Sequence, residues 1–173
     1  MGCSAGVQSR LVAELFPKSS VHGCDISEQA INRANHINEN PHLPNLSFSV
    51  KDVHNLPSDW TNKFDLVLAF NLIHDLPYAS RGLVQIHKSL KPKGKFLMFD
   101  MSSKQNPKDN PPLFYMMSLF HCMTQSLYFE GSQGLGICWG NDRAKQMFQD
   151  AGFSNVRQLK NVEHYYLLQV GEK

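Results

Sequence analysis

The stretch FDLVLAFNLIHDL, residues 64–76, carries the two signals on which the fold prediction rests. Its first seven residues, Phe64 to Phe70, are almost continuously apolar, which is typical of a strand that is buried on both faces of a parallel sheet. Polar residues follow directly in NLIHD, residues 71–75. Because ligands of open α/β sheets bind beyond the carboxyl ends of the strands, this stretch predicts a strand that delivers functional groups to a cleft.

Strand and helix signals alternate on both sides of this stretch. Strands are predicted at residues 20–25, 45–50 and 94–101. Helices are predicted at residues 7–16, 27–40 and 80–90. This order indicates an α/β fold, a Rossmann-like, doubly wound and mainly parallel sheet with helices on both faces.

The alternation stops after residue 101. An apolar segment at residues 113–129 and a helix at residues 141–153 come next, and then two strand candidates, residues 153–160 and 163–170. The short polar link between these candidates predicts an antiparallel hairpin at the C-terminus. With 173 residues, of which 42% are hydrophobic, the chain is expected to form one domain over residues 1–173, with residues 102–140 as a substrate-binding or lid insertion.

Composition narrows the range of partners. The formal net charge is only +2 and no run of Lys and Arg stands out, so neither nucleic acid nor an anionic membrane is an expected partner. The four cysteines form no C-x-x-C pair, so no metal site is predicted and free thiols are expected. No apolar run reaches the ~20 residues of a membrane span, and no signal peptide is recognisable, so a cytoplasmic location is expected.

Polar residues and glycines recur where the predicted strands end. Gly2 and Gly6 lead into the first helix, Asp25 ends a strand about 20 residues later, and Asp52 follows the next one. A dinucleotide fingerprint G-x-G-x-x-G/A does not fit, because Ser4 occupies the position of its second glycine. A nucleotide-binding protein that uses another cofactor remains a weaker alternative.

In the order and spacing of these motifs, the chain resembles class I S-adenosylmethionine-dependent methyltransferases over essentially its whole length. The resemblance is carried by GCSAG at 2–6, HGCDIS at 22–27, KDVHNLP at 51–57, FDLVLAFNLIHDL at 64–76 and LKPKGKFLMFD at 90–100. It implies S-adenosyl-L-methionine as cofactor. The cofactor-binding residues that it implies are Gly2, Cys3, Ser4, Gly6, Asp25, Ile26, Asp52, Val53 and Asn71. In this set the glycines shape the loop around methionine and ribose, Asp25 holds the ribose hydroxyls, and Asp52 bonds the adenine amine.

The apolar segment is similar to the substrate region of small-molecule methyltransferases that carry an N-terminal winged-helix domain, which these 173 residues do not include. A small, partly apolar methyl acceptor is therefore expected, methylated at oxygen or carbon. The Met- and aromatic-rich residues 113–129 fit either an ordinary core or a substrate lid.

Two histidines are candidates for a catalytic role. His74 lies in LIHDL, which resembles the His-Asp pair of plant-type O-methyltransferases, where the histidine is the base. The alternative is that His74 caps the following turn while Asp75 accepts a backbone hydrogen bond. His121 is the second candidate, although a packed core position fits it as well. Cys122 and Cys138 are expected to be structural, since neither has a recognisable base partner in the sequence.

In the family that the chain resembles, the glycine loop follows a central strand, but only Met1 precedes the loop here. We therefore expect that strand to be missing and two strand edges to lack a partner, which favours self-association. Two hypotheses follow. The chain is a methyltransferase whose activity needs upstream residues, or it is a truncated, catalytically inactive methyltransferase-like protein.

Overall fold

The strands form two separate sheets in the structure, a computed structural model that describes residues 1–159 and 166–173. The chain divides into two units, Met1–Leu56 and Pro57–Lys173. The organisation as one domain with an insertion at residues 102–140 stays a prediction. Within the described residues, every helix is too short or too polar to cross a lipid bilayer.

The first unit is a β-α-β arrangement preceded by a helix. Its elements are α1 (Val7–Leu15), β1 (Val21–Asp25), α2 (Glu28–Ile37) and β2 (Leu46–Val50). Strands β1 and β2 pair in parallel, with Val21 opposite Leu46. Ser27 begins α2 as predicted, because its side chain accepts a hydrogen bond from the backbone N–H of Ala30 at 3.2 Å.

The apolar face that predicts α1 is not the face that the helix buries. Val7, Leu11 and Leu15 are 68%, 55% and 65% exposed, whereas Ala13 is buried. Ala13 is thus the buried side chain of this helix, whereas Val7, Leu11 and Leu15 lie at the surface.

The second unit is built on a mixed sheet in the order β3-β4-β6-β5. Its elements are β3 (Phe64–Phe70), α3 (Ala79–Ser89), β4 (Leu90–Met101), α4 (Pro112–Met117), a π-helical turn (Ser118–Cys122), α5 (Met123–Ser126), α6 (Asn141–Asp150), β5 (Ser154–Leu159) and β6 (Tyr166–Glu172). Strand β3 is parallel to β4, while β6 is antiparallel to both β4 and β5. The predicted antiparallel C-terminal pair is confirmed. Its link and the start of its predicted second strand, residues 160–165, lie outside the described residues.

The apolar run of β3 predicts burial on both faces of the strand, but only one of its faces is buried. Val67 and Ala69 are buried, but Leu66 and Phe70 on the other face are 50% and 37% exposed. This strand lies at the edge of the four-stranded sheet, where only β4 pairs with it among the described strands. Strand β1 likewise pairs only with β2. Among the described strands, β1 and β3 thus each pair on one side only.

The core of the second unit lies on one face of the sheet. The ring of Phe96 in β4 stacks on that of Phe148 in α6 at a centroid distance of 5.0 Å, and Phe153 contacts both. These three side chains are almost fully buried. Close aromatic packing of this kind fixes α6 against the sheet.

The Met- and aromatic-rich segment is largely exposed, so it is not an ordinary core. Its exposed members are Leu113, Tyr115, Met116, Met117, Leu119, Phe120, Leu127, Tyr128 and Phe129. The buried positions recur every four residues, at Phe114, Ser118, Cys122 and Ser126. A mostly small and polar stripe therefore faces inward, and the large apolar side chains face outward.

Candidate active site

A buried pair of titratable side chains, His74 and Asp100, lies where β3 and β4 end. His74 belongs to a short 3-10 turn directly after β3, and Asp100 is the penultimate residue of β4. The two strands are parallel with Phe70 opposite Phe99, so their carboxyl ends meet. The Nδ1 atom of His74 is 2.5 Å from Oδ1 of Asp100.

This pair has a defined proton arrangement. A carboxylate only accepts hydrogen bonds, so Nδ1–H of His74 donates to Asp100 and leaves Nε2 as the other functional nitrogen. The same Asp100 oxygen accepts the backbone N–H of Met101 at 2.7 Å, which holds the carboxylate in place. His74 is 3% exposed and Asp100 is fully buried.

Opposing effects act on the imidazole of His74. Burial lowers its pKa, but the hydrogen bond to Asp100, the neighbouring Cys122 and the charges of Asp100 and Asp75 together raise the pKa to about 10. The surroundings thus stabilise an extra proton on this ring despite its burial.

The second nitrogen of His74 faces an oxygen and a sulfur atom. Its Nε2 is 3.3 Å from Oδ1 of Asp75, and the ligand atoms of His74, Asp75 and Cys122 all lie within 4.8 Å of one another. The sequence shows no recognisable base partner for Cys122, but in the structure the π-helical turn brings its thiol to His74. Burial raises the pKa of that thiol.

The sequence prediction does not include Asp100 as a site residue, and it names both His74 and His121 as catalytic candidates. A signal for Asp100 exists, since it follows the apolar run KFLMF at 95–99 just as the NLIHD residues follow β3. His121 has an exposed side chain, and its carbonyl accepts a hydrogen bond from the Thr124 hydroxyl at 2.6 Å. The side chain of His74 is held by Asp100 rather than by the turn that follows it.

The glycine loop of the first unit has the backbone that its sequence suggests. Gly2, Ser4 and Gly6 have φ values of 61°, 48° and 83°, all in the left-handed region. Gly6 begins α1, and a Cβ atom there would lie 2.5 Å from Cζ of Phe48. Only glycine combines this backbone with this contact, so Gly6 sets both the turn and the packing of the loop.

The side chain of Asp25 is fastened to this loop. Its two oxygens accept the backbone N–H groups of Ser4 at 2.8 Å and Ser27 at 3.0 Å. A carboxylate has about four acceptor positions, so this half-buried group retains room for two hydroxyl donors. Ile26 beside it is 69% exposed, whereas Cys3 is buried, and burial raises the pKa of the Cys3 thiol to about 11.

The remaining predicted cofactor residues lie at the ends of β2 and β3. One oxygen of Asp52 accepts both the backbone N–H and the Nδ1–H of His54, at 2.9 and 2.8 Å. Val53 is buried. Asn71 has a φ of 47°, and its backbone N–H donates to the carbonyl of Phe99 at 2.8 Å. Asp52 and Val53 belong to the first unit and Asn71 to the second.

Comparison with known proteins identifies the family. Residues 1–152 match the family model described as a methyltransferase domain. The chain belongs to this methyltransferase family. The family predicted from the glycine loop and the later strand ends is therefore confirmed.

Two curated relatives are similar over different parts of the chain. A mitochondrial ubiquinone biosynthesis O-methyltransferase of Candida albicans is 32% identical over 96 residues, which are 54% of this chain and 29% of that protein. A demethylmenaquinone methyltransferase of Listeria welshimeri is 27% identical over 158 residues, 87% of this chain and 66% of that protein. The chain thus spans at most about two thirds of the length of these relatives.

Solved structures agree on the fold. Human N-acetylserotonin methyltransferase, whose structure was determined with S-adenosylmethionine, superposes with a TM-score of 0.76 at 20% identity. The match covers 100% of this chain and 46% of the human one. At this identity the likeness concerns the fold alone, and it confirms the predicted α/β, Rossmann-like class with its antiparallel C-terminal strands.

Proposed function

We propose that this chain transfers a methyl group from S-adenosylmethionine to an oxygen or carbon atom of a small, partly apolar molecule. The observation that carries the proposal is the buried pair of His74 and Asp100 at the carboxyl ends of β3 and β4. This is the edge of a parallel sheet at which α/β proteins bind their ligands. A histidine oriented through Nδ1 can accept a proton at Nε2.

The residues of the first unit fit the proposed cofactor. The loop with Gly2 and Gly6 opens α1 without a side-chain cap, so backbone N–H groups remain at the start of that helix. Asp25, fastened beside the loop, has acceptor positions for the two ribose hydroxyls, and Asp52 has one for the adenine amine. When bound, the cofactor supplies a methyl group on a sulfonium, which is the electrophile of the reaction.

His74 prepares the acceptor. When its ring carries only the Nδ1 proton, His74 can accept at Nε2 the proton of a hydroxyl or an acidic C–H of the acceptor. The electron pair left behind would form the bond to the methyl group while the bond between that group and the sulfonium breaks and its electron pair stays on sulfur. Asp100 then stabilises the imidazolium through the hydrogen bond at Nδ1, which is also one cause of the raised pKa of His74. Asp100 acts through His74 and is a positioning residue.

The chemistry of the acceptor is supported by the relatives and by the surface of the second unit. Among the curated relatives, two are named for ubiquinone biosynthesis and for demethylmenaquinone, and a third is named for trans-aconitate. The exposed apolar residues of α4, of the π-helical turn and of residues 127–129 offer a matching surface to a partly apolar acceptor. We propose this segment as the substrate lid.

A catalytically inactive methyltransferase-like protein is the second candidate function. It is favoured by one observation, the open edges of β1 and β3 among the described strands. Calorimetry with S-adenosylmethionine separates the two candidates. Saturable binding supports the methyltransferase, whereas no heat change at millimolar cofactor supports the inactive protein.

Substitution of His74 tests the chemical step. We expect His74→Gln to lower the turnover of labelled methyl groups by roughly 10²–10⁴-fold, with cofactor affinity unchanged. His121→Gln is the matched control, because it removes an exposed imidazole from the same unit. Equal turnover in the two variants would exclude His74 as the base.

A further inference from the structure

The cluster of His74, Asp75 and Cys122 offers one nitrogen, one oxygen and one sulfur atom to a common point. The three atoms lie within 4.8 Å of one another, and Nε2 of His74 is 3.3 Å from Oδ1 of Asp75. His74 and Cys122 are buried, and the Asp75 side chain is 25% exposed. The cluster is thus mostly shielded from water but open on the side of Asp75.

The hydrogen bonds around the cluster place two acceptor atoms face to face. Nδ1–H of His74 points to Asp100, so loss of the second ring proton leaves a lone pair at Nε2. The facing Oδ1 of Asp75 is buried, 3.3 Å from Nε2. A positive charge offsets the repulsion between these two atoms, and either the proton on Nε2 or a metal cation that takes its place can supply that charge.

Asp100 holds His74 in the way in which a carboxylate commonly holds a metal-binding histidine. Histidine ligands commonly donate their other N–H to a carboxylate, which fixes the ring and makes the binding nitrogen more basic. Asp100 is fully buried and itself held by the backbone of Met101. His74 is therefore oriented before any cation arrives.

We propose that His74 Nε2, Asp75 Oδ1 and Cys122 Sγ bind a divalent cation of the zinc class. Zinc accepts mixed sulfur, nitrogen and oxygen ligands and is commonly held by three protein groups with a fourth position left open. Magnesium and calcium take oxygen ligands, so they do not suit this set. Binding displaces the Nε2 proton of His74 and converts the Cys122 thiol to a thiolate, and both protons pass to the buffer.

This site goes beyond the proposed methyl transfer and restricts it. The cation takes the lone pair of Nε2 that would otherwise accept the proton of the methyl acceptor. One chain cannot use His74 in both ways at once, so the cation-loaded form is the one without a base. Binding itself needs neither cofactor nor acceptor, so it is tested independently of methyl transfer.

Cobalt(II) is the probe, added without oxygen to the untagged, reduced and chelator-treated chain. We expect one Co²⁺ per chain, with visible d–d bands and a thiolate-to-cobalt band in the near ultraviolet. Zinc should displace the cobalt and magnesium should not. No saturable thiolate band, or displacement by magnesium, would overturn the proposal.

Substitutions assign the ligands. Cys122→Ser should remove the thiolate band, while Cys138→Ser, which changes a partly buried free thiol in the same unit, should retain it. Asp100→Asn should weaken cobalt binding by roughly 10–100-fold through the outer shell. If circular dichroism shows that Cys122→Ser does not fold, Asp75→Asn replaces it with an expected loss of at least about 10-fold in affinity. A band that survives in folded Cys122→Ser, or unchanged affinity in Asp75→Asn, would refute the site.

Discussion

Replacing Gly6 by alanine should unfold the first unit more easily, for two separable reasons. The first is the backbone, because Gly6 has a φ of 83°, where an L-residue costs about 1–2 kcal/mol. The second is space, because the new Cβ would lie 2.5 and 2.7 Å from two ring carbons of Phe48. Crowding of that kind in a packed interior costs about 1–3 kcal/mol. We expect a total loss of about 2–5 kcal/mol.

Gly131 offers a matched control for the backbone contribution. Its φ is 74°, and a Cβ there would meet no atom of the described residues within 4 Å. Gly131→Ala should therefore cost only the ~1–2 kcal/mol of the left-handed backbone. The difference between the two variants isolates the contact with Phe48.

Amide hydrogen exchange followed by mass spectrometry is the appropriate assay, because it reports each unit separately. Both tryptophans, Trp60 and Trp139, belong to the second unit, so their fluorescence does not follow the first. Exchange of β1 and β2 peptides measures the opening free energy in Gly6→Ala, and peptides around residue 131 measure it in Gly131→Ala. Combining Gly6→Ala with Phe48→Leu should recover part of the crowding cost in a double-mutant cycle. Equal losses in the two alanine variants, with no coupling to Phe48, would refute the reasoning.

Two further predictions concern a binding residue and a histidine outside the site. Asp25→Ala should weaken S-adenosylmethionine binding in calorimetry, since it removes the proposed ribose acceptor and the anchor of the Ser4 N–H; unchanged affinity would exclude Asp25 from the cofactor site. Burial, aided by the charge of Lys173, lowers the pKa of His87 below 6.5, so its protonation is harder in the folded chain than in the unfolded one. The contribution of neutral His87 to stability should be complete above pH 6.5 and should decrease as the pH falls through the lowered pKa. Thermal unfolding of the wild type and of His87→Gln between about pH 5 and 8 measures this dependence, and the variant should show the flatter profile of stability against pH.

Local patterns predicted most of the elements but not their burial. The apolar run at residues 64–70 is a strand with those bounds, and Ser27 does cap α2. The prediction that β3 is buried on both faces was wrong. Burial depends on the elements that pair with a strand and pack on it, and a local run of apolar residues carries no information about those elements. The same limit applies to α1, in which Ala13 is buried while Val7, Leu11 and Leu15 are exposed.

The same difference between local pattern and tertiary packing applies to the residues of the candidate site. His74 could be proposed from LIHDL because the polar residues follow the strand immediately. The role of Asp100 depends on the parallel register of β3 and β4. The four-residue spacing of the buried positions places Cys122 on the inward stripe of its segment, but its contact with His74 depends on how that segment packs on the turn after β3.

The strand order has a consequence for synthesis of the protein on the ribosome. Asp100 lies in β4, whose second edge pairs with β6, with Asp100 opposite Leu167. Strand β6 comes last among the described elements, so that edge stays open while residues 102–165 are being made. The carboxylate that orients His74 therefore gains its final sheet partner only when β6 has left the ribosomal tunnel. Until then the nascent chain carries a half-built sheet, which is the stage at which a chaperone would be most useful to it.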